Sequence, residues 1–253
     1  MSCITIRNCC IGEGKPNVII PIVEHTAAAI LQKAAEFSTL SADCVEWRVD
    51  LFELAKDLRA VAHYAAKLRI ALKDKLLLVT FRTKSEGGSA ALSREEYICF
   101  IHTVLATDCA DLIDIEFFTA GADLPGLIED AHTAGVKVVC SSHDFHKTPP
   151  CAELVSRMTA MQEAGADLPK LAVMPTCRAD VIALLAATAE MADHHPETPV
   201  ITMSMGTLGA VSRLCGEAFG SAMTFANPGA ASAPGQVPLD VVNEVLESLH
   251  AER

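Results

Sequence analysis

From residue 18 to the C-terminus one unit recurs eight times: a short apolar or β-branched run, a turn, then an Ala- and Leu-rich stretch of helical period. Strict strand–helix alternation marks a parallel sheet, because parallel neighbours need a crossover that a helix supplies. Eight such units in 253 residues match the size of a closed barrel. The expected strands are Val18–Val23, Cys44–Arg48, Leu76–Phe81, Leu112–Glu116, Lys137–Ser142, Leu168–Val173, Val200–Met203 and Ala222–Phe225. The expected helices are Ala27–Phe37, Lys56–Leu72, Arg94–Ala106, Leu124–Thr133, Ala152–Ala164, Ala179–Met191, Gly209–Glu217 and Leu239–His250. Ser93 and Glu96 stand at capping-box spacing ahead of the third helix. Residues 76–81 are apolar on both parities, as a strand covered on both faces should be. The fold class is therefore α/β, a (βα)8 TIM barrel. No Pro/Gly/Ser linker divides the chain, so residues 1–253 read as a single domain. The segment Cys3–Lys15 alternates and contains Gly12 and Gly14, which predicts an N-terminal hairpin closing the barrel floor.

The net charge of -12 argues against nucleic acid as a partner, since phosphates are neutralised by Lys and Arg. It leaves room for a small anionic substrate, because a few local Arg residues bind a carboxylate inside an acidic protein. The ten cysteines are scattered without a C-x-x-C pair, which predicts free thiols of a reducing compartment and no zinc site of usual spacing. The adjacent Cys9 and Cys10 receive no role. There is neither a signal-peptide pattern nor an apolar run long enough for a membrane span, so a cytoplasmic location is expected.

In a barrel of this class, chemistry gathers where the strands end. The unusual charges of the sequence fall there. The second strand ends Glu46-Trp-Arg-Val-Asp50, the third runs into Arg82 and Glu86-Gly-Gly88, and the fourth holds Asp114 and Glu116. The fifth runs into His143, the sixth contains Lys170, and Arg213 follows the seventh. Glu46, Arg48 and Asp50 share one strand face, which should point into the barrel mouth because helices cover the other. Singly, each has a plain structural explanation. Lys170 can pair with Asp114 or Glu116, His143 can be an ordinary loop histidine, Glu86 mere loop charge, and Arg48 and Arg82 partners of Glu46 and Asp50. Met203 and Met205 fit as core filler. Their gathering on one rim favours chemistry. A lysine is a nucleophile only as the neutral amine, a form that desolvation and nearby cations favour. The protonated imine it forms withdraws electrons from an adjacent carbanion, and a histidine can then move the protons.

These residues lie within stretches that resemble the type I 3-dehydroquinate dehydratase family. They are Glu46–Asp50, Thr80-Phe-Arg-Thr83 with Glu86-Gly-Gly88, Ser142-His-Asp-Phe145, Gly165-Ala-Asp-Leu-Pro-Lys170, Ile201-Thr-Met-Ser-Met-Gly206, Ser212-Arg213, and residues 230–236. Seven stretches in family order span nearly the whole chain. The resemblance implies syn elimination of water from 3-dehydroquinate, giving 3-dehydroshikimate in the shikimate pathway, which leads to chorismate and the aromatic amino acids. It implies Lys170 as the Schiff-base nucleophile, His143 as proton shuttle and Glu86 as its orienting partner. Arg213 should clamp the substrate carboxylate, and Glu46, Arg48 and Arg82 should bind or order ring hydroxyls. Ser232 and Gln236 should lie on a closing lid, with Met205 and Phe225 lining the pocket. Neither metal nor organic cofactor is implied, and a homodimer is.

Pro21 stands where the family often has a small polar residue, Asn227-Pro228 alters the entry to the lid, and His146 competes with His143 for the shuttle role. Two other functions fit parts of the pattern. A class I aldolase barrel would share the lysine but would need a glycine-rich phosphate site near the last strands. A non-catalytic carboxylate binder would need Arg213 and Arg82 but not Lys170.

Overall fold

The computed structural model describes residues 2–229 and 233–250. Eight parallel strands run in chain order: β3 (Asn17–Ile22), β4 (Cys44–Arg48), β5 (Leu76–Thr80), β6 (Leu112–Glu116), β7 (Lys137–Asp144), β8 (Leu168–Val173), β9 (Ile201–Ser204) and β10 (Met223–Asn227). Each pairs with the next, β10 returns to β3, and a parallel bridge between Val200 and Ser221 joins the remaining edges. The expected barrel is thus closed. A short β11 (Val237–Pro238), which the sequence pattern did not suggest, adds to β10. No helix is long and apolar enough to cross a membrane among the described residues.

Alternation along the strands builds two cores. Val45, Trp47, Leu77, Val79, Leu171 and Val173 face the helices. Ile19, Cys44, Leu76, Leu78, Leu112, Val139, Leu168 and Ile201 fill the barrel interior. The hairpin of β1 (Ile4–Ile6) and β2 (Cys9–Ile11) lies under this inner core and packs Ile4, Ile6, Cys9 and Ile11 against it, so the floor is closed as expected.

The floor carries a repeated clamp. Ala-Asp precedes β4, β6 and β8, and each aspartate accepts a backbone N–H from the start of the preceding strand. Asp43 takes Val18 at 2.7 Å, Asp111 takes Leu77 at 2.8 Å and Asp167 takes Val138 at 2.8 Å. Ser221, ahead of β10, does the same for Thr202 at 3.0 Å. Three residues beyond each aspartate the chain places Glu46, Asp114 and Lys170 on the inner face, one layer above Cys44, Leu112 and Leu168. Alternate strands supply one layer of barrel side chains, so these three charged residues are level with each other.

Most helices fall where the sequence put them: α1 (Ala27–Phe37), α2 (Leu58–Leu72), α3 (Arg94–Leu105), α5 (Leu124–Thr133), α6 (Cys151–Glu163), α7 (Arg178–His194) and α10 (Leu239–His250), with a four-residue α4 (Phe117–Ala120) after β6. The α2 start moves in by two residues because Asp57 caps the N–H groups of Arg59 and Ala60. The Ser93–Glu96 capping box forms. The expected helix Gly209–Glu217 does not. The chain makes short α8 (Gly206–Gly209), a 3-10 turn over Ala210–Arg213, and short α9 (Gly216–Phe219). Gly209 sits against the backbone of Ser204, where a Cβ would meet Ser204 C at 2.4 Å. Ser212 Oγ accepts the Ser204 N–H at 2.9 Å and donates to the Gly209 carbonyl at 2.7 Å. This folding-back onto β9 replaces regular helix and carries Arg213 inward. A second correction concerns the thiols: Cys3 and Cys10 are joined in a disulfide, because the hairpin brings their Cα atoms to 6.4 Å.

Candidate active site

At the C-terminal mouth of the barrel lies a cavity. Nine residues singled out in the sequence line it: Glu46, Arg48, Arg82, His143, Lys170, Met205, Arg213, Phe225 and Gln236. Glu86 stands behind His143. Ser232 lies outside the described residues.

Lys170 sits between Leu168 and Ala172 of the inner core, so strand parity turns it into the barrel. Its side chain is 3% exposed, and Nζ donates to Asp114 Oδ2 at 3.2 Å and lies 4.6 Å from the Phe225 ring centroid. Asp114 is the pairing partner foreseen as the structural alternative, so the lysine is both ion-paired and open to the cavity. Burial alone would raise the Asp114 carboxyl. Arg82 and then Lys170, with hydrogen bonds from Arg82 and Ser141, override it and hold the group below its ordinary value.

Arg82 organises the carboxylates. It donates to Asp114 at 2.7 Å, to Glu116 at 2.8 Å and to Ser141 Oγ at 3.0 Å, with Glu86 at 3.8 Å. Burial opposes its charge, but those three carboxylates hold it above its ordinary value. Arg48 is bidentate to Asp50, at 2.8 and 2.9 Å, the pairing foreseen as its structural explanation, with Asp50 in a 3-10 turn beyond the strand. Glu46 accepts from Thr80 Oγ1 at 2.9 Å.

His143 lies on β7 and donates its backbone N–H to Glu86 Oε2 at 3.0 Å, while Nδ1 meets the same oxygen at 2.8 Å. The ring is fixed at Nδ1, so Nε2 remains as the atom that can exchange protons. Burial, then Arg82, Lys170 and Arg48, push His143 well below 6.5 and keep it neutral. Burial, seconded by Glu116, pushes Glu86 up to about 8 against the pull of Arg82. His146 is exposed and does not line the cavity, its N–H held by Asp144.

The glycine pair after Glu86 is required by packing. Gly87 adopts φ +84°, and a Cβ there would enter the Phe145 ring at 2.3 Å; one on Gly88 would meet the Arg82 carbonyl at 1.9 Å. Phe145 in turn stacks at 6.5 Å from His143. Phe145, Met203, Gly87, Ala172 and Ala233 line the cavity without having been singled out as site residues. Phe145 and Ala172 share inner-face parity with His143 and Lys170, and that was the available signal.

Arg213 is 1% exposed. Nη1 donates to Met203 Sδ at 3.5 Å and Nη2 to the Pro234 carbonyl at 3.3 Å, and Nε has no partner. Among the described residues it forms no ion pair, and burial lowers it to about 10. A buried guanidinium facing a cavity without its own carboxylate is a receptor for an anion.

Known proteins resemble this chain over its length. The family model for type I 3-dehydroquinase matches residues 18–253. The 3-dehydroquinate dehydratase of Bacillus subtilis is 46% identical over 250 residues, covering 99% of this chain and 98% of that protein. That of Listeria monocytogenes serovar 1/2a is 46% identical over 252 residues, covering 100% of both. The crystal structure of the type I 3-dehydroquinate dehydratase of Clostridium difficile with covalently modified comenic acid superposes with a TM-score of 0.96 at 42% identity, covering 100% of this chain and 99% of that one. The matches in sequence and in fold agree over the full length, and the chain belongs to the type I 3-dehydroquinase family.

Proposed function

We propose that this chain dehydrates 3-dehydroquinate to 3-dehydroshikimate through an imine on Lys170. The observation that carries the reading is the convergence of Lys170, His143 and an Arg213 without a carboxylate partner on one cavity. Arg213 receives the substrate carboxylate, which replaces its weak contacts with Met203 and Pro234. The neutral amine of Lys170 attacks the ketone, and loss of water gives a protonated imine. Asp114 lies where it balances the charge on that nitrogen.

His143 enters neutral and removes the proton beside the imine through Nε2, with Glu86 holding Nδ1. The electron pair flows toward the imine nitrogen as an enamine. The enamine then expels the C1 hydroxyl, which takes the proton from the imidazolium and leaves as water. One base serving both steps requires proton and hydroxyl to leave from the same face, a syn elimination. Hydrolysis of the imine frees product and lysine. Glu46, Arg48 and Arg82 order the ring hydroxyls, with Arg82 acting chiefly through the carboxylates it gathers. Phe225 and Met205 form the apolar wall, and Gln236 borders the mouth. Residues 1–253 act as one catalytic domain, in a cytoplasmic homodimer whose mass by light scattering should be about twice 26.9 kDa.

Incubation with 3-dehydroquinate, borohydride reduction and peptide mapping tests the reading. An adduct on Lys170 together with ultraviolet absorbance from the product enone supports it. An adduct formed only with sugar phosphates would replace it with an aldolase, and absence of any adduct with a carboxylate binder.

A further inference from the structure

Away from the mouth, the N-terminal hairpin gathers the one group of three potential metal ligands found among the described residues: Cys3, Cys10 and Glu13, with ligand atoms all within 4.8 Å. The register Ile4↔Ile11 and Thr5↔Cys10 sets Cys3 diagonally across from Cys10. Gly12 and Gly14, at φ +103° and +69°, curl the chain so that Glu13 turns back toward Cys10, its Oε2 lying 3.7 Å from Sγ. Gly12 admits no side chain, since a Cβ would meet the Ser2 carbonyl at 2.6 Å. Cys9 points elsewhere, accepting from Asn17 Nδ2 at 3.2 Å. None of these residues lines the catalytic cavity.

We propose that, once the Cys3–Cys10 bond is reduced, Cys3, Cys10 and Glu13 bind a soft divalent cation of the zinc class. The hairpin is then cross-linked either by the disulfide or by the ion. Reduction delivers two electrons and two protons from a dithiol, which itself becomes a disulfide. The ion then displaces the two thiol protons. Tetrahedral coordination with bonds of about 2.3 Å to sulfur and about 2.0 Å to oxygen sets ligand atoms about 3.5–3.8 Å apart. The Cys10–Glu13 separation of 3.7 Å already fits, and breaking the sulfur–sulfur bond lets the thiolates part to that spacing. The cations of the segment are committed elsewhere, Arg7 to Asp111 and Lys15 to Glu247. The chain as a whole carries -12, which favours a cation. Two three-residue strands are marginal alone, so either cross-link tightens the plug under the barrel.

The test uses the full chain, reduced anaerobically with a phosphine and titrated with Co(II). One ion per chain should bind with a thiolate-to-cobalt charge-transfer band that Zn(II) abolishes by displacement. Cys3→Ser and Cys10→Ser should each weaken binding at least tenfold, Glu13→Gln several-fold, and Cys9→Ser not at all. The oxidised protein should give no band. Turnover of 3-dehydroquinate by each variant verifies that it is folded. No band in the reduced wild type, a band undiminished in Cys3→Ser or Cys10→Ser, or one lost in Cys9→Ser would overturn the proposal.

Discussion

Lys170 Nζ and Asp114 Oδ2 lie 3.2 Å apart, and the same carboxylate oxygen accepts from Arg82 at 2.7 Å. One buried negative charge thus faces two cations. An Asp114→Asn substitution keeps the shape and removes that charge. The expected loss is about 3 kcal/mol of stability, since one side of a buried ionic group is left uncompensated. Turnover should fall about 100-fold through kcat, because the protonated imine loses its counter-ion. Thermal unfolding and steady-state kinetics read the two effects, and an unchanged kcat would refute the electrostatic part.

Glu86 and His143 pull the pH dependence of stability in opposite senses. Glu86, raised from 4.5 to about 8, binds its proton more tightly in the folded state. Between those values the native chain holds more protons than the unfolded one, so stability falls as pH rises through the window. A Glu86→Gln variant escapes this. Its stability relative to wild type should be least at and below pH 4.5 and rise by about 5 kcal/mol across the window to pH 8. His143, pushed well below 6.5, contributes stability present above 6.5 and lost as pH falls toward its folded value. The neutral ring should also keep kcat/KM flat to below pH 6.5, with activity lost only as pH falls through the folded value. Urea midpoints from pH 4 to 9 test the pair; a pH-independent gap for the glutamine variant would contradict the raised carboxyl.

Arg213 is the natural candidate for a binding rather than a rate effect. Arg213→Ala should raise KM for 3-dehydroquinate about 100-fold with a smaller change in kcat. Arg213→Lys should restore part of the loss, since an ammonium keeps the charge without the planar fork. Should KM stay within twofold of wild type in the alanine variant, the carboxylate is held elsewhere.

At the floor, Asp167 accepts from Val138 N at 2.8 Å, Lys137 Nζ at 2.8 Å and His132 Nε2 at 2.7 Å. Asp167→Ala strands a buried N–H, and a loss of about 3 kcal/mol is expected. In a domain of this size that is about 6–12 °C of Tm. Ser221→Ala, which removes a neutral hydroxyl that accepts from Thr202 N and donates to the Met223 carbonyl, should lower Tm by about a third as much. Both variants should retain kcat.

The barrel was legible because its two signals are local. Apolar runs on both parities and helical stretches in strict alternation admit few other folds. Strand parity also placed Glu46 and Arg48 on the cavity face, but it did not reach Asp50, which lies in a 3-10 turn beyond the strand end and pairs with Arg48 from there. What stayed hidden depends on register between distant segments. That Arg82 would reach Asp114, Glu116 and Ser141 at once, leaving Arg213 without a carboxylate among the described arginines that line the cavity, follows only when β5, β6 and β7 are aligned. The stretch after β9 misled because Ala210 and Leu214 stand at helical spacing. The close approach of Gly209 to Ser204 is a long-range constraint that no local pattern announces. The disulfide was missed for a similar reason: Cys3 and Cys10 become neighbours through a hairpin register, not through sequence spacing.

The recurrent Ala-Asp step has a consequence for how such a chain can diversify. The aspartate that ties neighbouring strands at the floor and the charged residue of the inner layer stand three positions apart, at opposite ends of one short rung. Mutation at the upper position alters chemistry with the anchor untouched, and mutation at the lower threatens assembly with the chemistry intact. A lineage can therefore exchange Glu46, Asp114 or Lys170 for other functional groups while inheriting the same foundation.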